Sequence, residues 1–156
     1  MRWSQGRADI DDMLAAARPP LQRVPPSREH ADRLLDQARR HVVTARMSAE
    51  SDPEGAYALM YDAARKALTA ILENQGLRPT SEGGHLAVYH AVLAQLDPPM
   101  GGKLRPFDRM RRRRRDAEYP SSDAPMLTAD DVVDDLPKAE EILVIAAQVL
   151  DQMSPY

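Results

Sequence analysis

The stretch Asp52–Gly76, DPEGAYALMYDAARKALTAILENQG, carries apolar residues at helical spacing along most of its length. Two adjoining rows share this spacing: Ala56, Leu59, Met60, Ala63, Ala67 and Ile71 in one, and Tyr57, Tyr61, Ala64, Leu68 and Leu72 in the other. Together they form a wide apolar face, and its alanines let a neighbouring helix approach closely. Pro53 is tolerated as the first residue of a helix, and Gly76 is suited to end one. The stretch therefore predicts a long helix with neighbours packed closely against it.

Amphipathic stretches elsewhere predict further helices. Their ends are marked by the N-cap residue Ser27, the stop Asp97-Pro98-Pro99 and the capping-box pair Thr128 and Asp131. Pro137 lies inside the last of these helices and is expected to kink or restart it. Residues 77–84 predict a loop, and no segment alternates with period two. The predicted fold class is all-α, an up-and-down bundle of four main helices plus a short basic helix.

The first 26 residues differ from the remainder in composition. They contain two proline pairs, which predict a stiff extended linker, and before it a short run with helical spacing. We therefore divide the chain into a Pro-rich N-terminal appendage, residues 1–26, with a short helix, and a helical bundle domain, residues 27–156.

Composition and spacing exclude several kinds of site. The chain has no cysteine, which excludes disulfides, thiol catalysis and thiolate metal sites and fits a cytoplasmic location. The histidines show no metal-binding spacing, and neither a phosphate-binding glycine loop nor a nucleophile elbow is present. The longest apolar run, Ile142–Ala147, is too short to span a membrane. We therefore expect a cytoplasmic protein with no metal, no cofactor and no membrane partner.

One short segment, Arg109–Pro120 (RMRRRRRDAEYP), concentrates positive charge. On a helix, four residues fall on one face: Phe107, Met110, Arg114 and Ala117. Arg114 is therefore expected to point toward the apolar side of its helix, with Arg111 beside it. The remaining members of the run, Arg112, Arg113 and Arg115, are expected to project to water. Pro120 disfavours helical geometry at Tyr119, so the helix should end near Glu118.

Two interpretations of this basic helix stay open. Arginine has a planar guanidinium that pairs bidentately with phosphate oxygens, so the run can bind phosphate. Alternatively, it is a solvated face that the acidic segment after it partly neutralises, with Asp130, Asp131, Asp134 and Asp135 as partners. A merely solvated face does not require Arg114 to turn inward, which favours phosphate binding.

Several segments in order resemble the HEPN domain family. They are Tyr57–Leu68 (YALMYDAARKAL), Gln75–Thr80 (QGLRPT), Gly84-His85 and Arg114–Pro120 (RRDAEYP), and the resemblance spans residues 28–153. The last segment is similar to a variant of the motif that defines HEPN ribonucleases, in which four to six residues stand between an arginine and a histidine. The resemblance implies a homodimer that pairs across the motif helices, and a toxin-like, metal-independent ribonuclease activity in the members that keep the histidine.

Carried over by position, Arg114 matches the arginine of the motif and Tyr119 occupies the place of the histidine. These two are the catalytic candidates, and the neighbouring arginines are the ligand-binding candidates: Arg111, Arg112, Arg113 and Arg115. A phenol titrates near pH 10 and is a poor base at neutral pH. Loss of the histidine therefore fits a binding role as well as a catalytic one. The expected partners are a second copy of the chain and RNA or a nucleotide.

The competing functional class is a non-catalytic helical module that binds a protein partner. In that case the arginines pair with the acidic segment or with the partner, and Tyr119 is a packing residue.

Overall fold

The computed structural model describes residues 3–123 and 125–156, and most of them are helical. In chain order the elements are α1 (Arg7–Ala15), β1 (Leu21–Arg23), α2 (Arg28–Ser48), α3 (Pro53–Gln75), β2 (Leu77–Pro79), α4 (Gly84–Leu96), α5 (Gly101–Leu104), α6 (Pro106–Glu118) and α7 (Ala129–Leu150). The predominantly helical character agrees with the predicted class. Within the described ranges, no helix is both long and apolar enough to cross a bilayer.

Helix α3 is the centre of the fold. It packs against α2, α4, α6 and α7, and both predicted apolar rows are largely buried. Tyr57, Met60 and Leu68 have no exposed surface. A helix surrounded in this way needs small residues where neighbours cross it, and Ala63, Ala64, Ala67 and Ala70 supply them. Because α3 contacts both α4 and α6, it fixes the helices that carry the candidate site.

The predicted helix ends are confirmed at each cap. Ser27 Oγ accepts a hydrogen bond from the His30 amide at 3.1 Å. Thr128 and Asp131 form a reciprocal capping box at the start of α7. The predicted restart at Pro137 does not occur, because α7 continues through that residue. Proline has no N–H, so the carbonyl of Val133, four residues before Pro137, lacks its helical donor. Both residues are exposed, so water can donate a hydrogen bond to that carbonyl.

The N-terminal residues pack on the helical body. Ile10 of α1 is completely buried, and the Trp3 indole donates to the Gln95 carbonyl at 3.1 Å. β1 pairs antiparallel with β2, with Leu21 opposite Pro79. The sequence predicted a loop in place of β2. Strands of three residues are too short to show the alternation by which strands are recognised.

Candidate functional site

Helix α6 is anchored by aromatic packing beneath its N-terminal half. Phe107 and Met110 are completely buried. The Phe107 ring stacks between Tyr61 of α3 and Tyr89 of α4, with centroid separations of 5.2 and 5.6 Å. The helix ends at Glu118, as the following Tyr-Pro predicts. This anchoring fixes the rotation of α6 and hence the direction in which each of its arginines points.

A groove of about 420 Å³ lies where α3, the start of α4 and the C-terminal half of α6 meet. We call it the arginine groove, and its lining consists of Tyr61, Gly83, His85, Leu86, Arg111, Arg114, Arg115, Glu118 and Tyr119. Its volume falls in the range of small-ligand sites. Cations predominate over the single carboxylate, so the groove attracts anions.

Arg114 lies at the centre of this groove. Its guanidinium carbon is 5.9 Å from the centroid of the Tyr61 ring, and Nη1 pairs with Glu118 Oε2 at 2.5 Å. About one third of the side chain (34%) is exposed. The ring and the carboxylate hold the guanidinium in place, while its exposed part stays accessible to a ligand. This is the inward orientation that its spacing from Met110 predicts.

The other two arginines of the groove differ in how they are held. Arg111 donates to Asp108 Oδ1 through Nε at 3.1 Å and Nη2 at 3.0 Å, which fixes its guanidinium. Arg115 is exposed, and within the described ranges it makes no ion pair. The groove therefore combines two oriented cations with one that is free to move toward a ligand.

A tyrosine–histidine pair forms the wall opposite α6. The Tyr61 hydroxyl and His85 Nδ1 are 2.7 Å apart. Partial burial, together with the positive charges of Arg65 and Arg114, lowers the pKa of His85. Burial raises the pKa of Tyr61 to about 12. At neutral pH the imidazole is uncharged and the phenol keeps its proton.

Two arginines of the run lie outside the groove. Arg113 was expected to project to water, but it is half-buried and pairs with Asp131 at 3.1 Å and with Asp135 at 3.0 Å. The buried Asp135 carboxylate supplies the reason, because it needs cationic partners. Arg112 does project outward, with a side chain that is 59% exposed and 3.4 Å from Asp108.

The structure thus brings four of the predicted site residues to one groove and separates two from it. Arg111, Arg114, Arg115 and Tyr119 line the groove, and Tyr119 is 74% exposed at its mouth. Arg112 and Arg113 do not line it.

Sequence reasoning missed Tyr61 and His85 as site residues. The spacing of the histidines along the chain does not indicate this pair, because His85 of α4 meets Tyr61 of α3 across two helices. The available signal was the glycine pair Gly83-Gly84, which favours a tight turn before His85. In the structure both glycine amides donate to the Thr80 carbonyl.

No protein-family model, curated protein or solved structure matches this chain. Within residues 3–123 and 125–156, no three acidic or histidine side chains are grouped to hold a metal ion.

Proposed function

We propose that the chain is a HEPN-type domain that binds single-stranded RNA, through its phosphates, in the arginine groove. The observation that supports this function best is the position of Arg114, half-buried over Tyr61 and flanked by Arg111 and Arg115. A backbone phosphate placed there meets three guanidinium groups, of which two are already oriented. Preorganised cations lose little side-chain entropy on binding. The planar guanidinium can also pair bidentately with the phosphate oxygens.

Glu118 is the internal competitor for the ligand. It occupies one edge of the Arg114 guanidinium, and its own side chain is 42% exposed. An ion pair this exposed contributes little to stability, so an incoming phosphate can displace the carboxylate at small cost. The carboxylate also keeps Arg114 extended toward the groove when no ligand is bound.

Tyr119 adds a feature that favours single-stranded nucleic acid over inorganic phosphate. Its ring is exposed at the end of α6, beside the cations of the groove. Proteins that bind single strands combine a positively charged groove with exposed aromatic side chains on which bases stack. The arrangement therefore accommodates a phosphate with its neighbouring base. On the basis of the resemblance to the HEPN family, we also propose a homodimer in which the arginine grooves of the two copies meet along α6.

Binding is tested with a fluorescent single-stranded RNA in EDTA, by fluorescence anisotropy. Arg114→Ala should weaken binding roughly tenfold or more, the loss of a hydrogen bond between charged groups. Arg40→Ala is the control with the same change in net charge, because Arg40 is an exposed residue of α2. Equal losses in the two variants, or no binding by the wild-type protein, would contradict the proposal.

A second function, docking of a protein partner, is favoured by a different surface. Val43 of α2 and Val144 of α7 are 53% and 50% exposed and line a common groove. Met47, one turn beyond Val43, is 81% exposed. Neighbouring exposed apolar side chains are typical of interaction surfaces. This alternative would be supported if the protein does not bind RNA but does bind a protein partner, and if Val144→Asp abolishes that binding.

A further inference from the structure

We infer that His85 contacts an RNA phosphate in the arginine groove as a neutral imidazole that donates a hydrogen bond through Nε2, and that Tyr61 fixes this tautomer. This role rests on the proposed function, because it adds a contact to the same groove. The sequence predicted ligand-binding candidates on α6 alone, whereas His85 reaches the groove from α4.

The Tyr61 hydroxyl is enclosed by the protein and needs an acceptor for its proton. Tyr61 is 1% exposed, and among the described residues its hydroxyl has one hydrogen-bonding partner, His85 Nδ1, at 2.7 Å. A buried hydroxyl whose proton has no acceptor is unfavourable. Burial also raises the pKa of Tyr61 to about 12, so the phenol keeps its proton at neutral pH. Tyr61 therefore donates to Nδ1.

This hydrogen bond fixes the tautomer of His85. A neutral imidazole carries one proton, and the nitrogen that accepts a hydrogen bond is the one without it. Because Nδ1 is the acceptor, the proton lies on Nε2. The two ring nitrogens point in nearly opposite directions, so Nε2 is directed away from Tyr61, on a side chain that is exposed. His85 thus presents one N–H to a ligand in the groove.

The surroundings of His85 keep it neutral. It is the second residue of α4, where the positive end of the helix dipole disfavours an added positive charge. Partial burial and the charges of Arg65 and Arg114 lower the pKa of His85, and the opposing charge of Asp62 does not cancel them. A neutral imidazole at a helix N-terminus is known to donate a hydrogen bond to a substrate oxygen. Such a donor binds phosphate without adding to the repulsion among the cations.

Arg114 and His85 lie against the same aromatic ring. The guanidinium carbon of Arg114 is 5.9 Å from the centroid of the Tyr61 ring, and the centroid of the His85 ring is 5.7 Å from it. Both side chains line the arginine groove. A phosphate that pairs with Arg114 therefore lies beside His85, and its oxygens can accept hydrogen bonds from both. Arginine supplies charge, and histidine supplies a directed donor.

Affinity and its salt dependence together test the neutral hydrogen bond. The probe is a fluorescent single-stranded RNA, titrated in EDTA at neutral pH and several salt concentrations. His85→Ala should weaken binding about tenfold, since it removes one hydrogen bond to a charged group. The slope of log affinity against log salt should stay unchanged, because a neutral imidazole displaces no counterion. Loss of a charged contact would instead reduce the slope by about 0.7.

Two amide substitutions locate the donor on the ring. The side-chain amide of glutamine reaches the position of Nε2, whereas that of asparagine reaches only the position of Nδ1. His85→Gln should therefore bind within about threefold of wild type. His85→Asn should bind as weakly as His85→Ala, and it replaces that variant if the alanine protein does not fold.

The matched control is His90→Ala, because His90 is exposed on the same helix and lines a different groove. It should leave both the affinity and the slope unchanged.

The tautomer is measured directly in the RNA-free protein. Long-range correlation spectra of imidazole hydrogens and nitrogens distinguish a ring nitrogen that carries a proton from one that does not. In the wild-type protein, Nε2 of His85 should carry the proton and Nδ1 should not. In Tyr61→Phe both tautomers should be populated, because the group that holds Nδ1 as an acceptor is gone.

The outcomes distinguish this role from the proposed function. Absence of RNA binding by the wild-type protein overturns both. If the wild type binds RNA, four results overturn the role of His85 alone: unchanged affinity in His85→Ala, a reduced slope in that variant, equal losses with glutamine and asparagine, or a proton on Nδ1. Loss of affinity at constant slope, prevented by glutamine but not by asparagine, supports it.

Discussion

The hydroxyl of Tyr57 on α3 donates to Asp135 Oδ2 on α7 at 2.8 Å, and both residues are buried. Arg109 and Arg113 of α6 reach the same carboxylate at 2.5 and 3.0 Å, as does Lys138 at 3.1 Å. One carboxylate therefore ties three helices together. It also holds Arg109 and Arg113 toward α7, and this rotation of α6 leaves Arg114 facing the arginine groove.

We expect Asp135→Asn to lower the free energy of unfolding by about 1.5–3 kcal/mol, the range for hydrogen bonds to a charged group. The loss should be smaller than the cost of leaving a fully buried cation without a partner. The cationic partners of Asp135 are 38–44% exposed, so they can turn to water. Urea unfolding followed by circular dichroism measures the change. Asp134→Asn is the control, since Asp134 is its exposed neighbour. A similar stability for the two variants would show that the buried carboxylate is not a structural anchor.

The same carboxylate predicts a dependence of stability on pH. Burial alone would raise the pKa of Asp135, but hydrogen bonds from Tyr57 and Lys138 and the charge of Arg109 together lower it. Because the pKa of Asp135 is lower in the folded state, its ionised form stabilises the folded protein. This stabilisation is fully present at pH values above the unfolded-state pKa, near 3.9, and is lost as the pH falls through the folded-state pKa. The melting temperature should therefore decline below about pH 4. The decline should be smaller in Asp135→Asn, and an unchanged decline would contradict this origin.

Gly76 should tolerate no side chain. It ends α3 with φ +83°, and an added Cβ would lie 2.7 Å from the Val24 carbonyl oxygen. Gly76→Ala should cost about 1–2 kcal/mol for the left-handed conformation alone, with a further cost for the close contact. Gly102→Ala is the matched control, because an added Cβ there meets no atom within 4 Å. Thermal unfolding of the two variants checks the prediction, and it fails if both behave alike.

Tyr119 should contribute to RNA binding through its ring rather than its hydroxyl. Tyr119→Ala should lose about 1–3 kcal/mol of binding free energy, the value of one stacked base. Tyr119→Phe should bind like the wild-type protein. Anisotropy titration with the fluorescent single-stranded RNA measures both. A loss with phenylalanine as large as that with alanine would instead assign the contact to the hydroxyl.

Local patterns in the sequence predicted the helices well, because caps and helix ends depend on neighbouring residues. Ser27 and the Thr128–Asp131 box satisfy backbone groups nearby. The stop after Glu118 follows from Pro120, which disfavours helical geometry at Tyr119. Arg114 could be oriented because it shares a helix with Phe107 and Met110, whose burial follows from the same spacing.

The remainder of the site depends on contacts between distant segments. Arg113 pairs with Asp135, which lies on α7, and His85 meets Tyr61, which lies on α3. No periodicity within one helix specifies which residue of another helix it will face. For that reason the sequence predicted that Arg113 is solvated and gave no sign that His85 meets Tyr61.

Contact between the Arg114 guanidinium and an RNA phosphate should be visible in the salt dependence of RNA affinity. The logarithm of affinity should fall linearly with the logarithm of salt concentration, and each phosphate contact on a single strand contributes about 0.7 to the slope. Arg114→Ala should reduce the slope by about that amount, while Arg40→Ala leaves it unchanged. A slope that is the same in wild type and Arg114→Ala would show that Arg114 contacts no phosphate of the RNA.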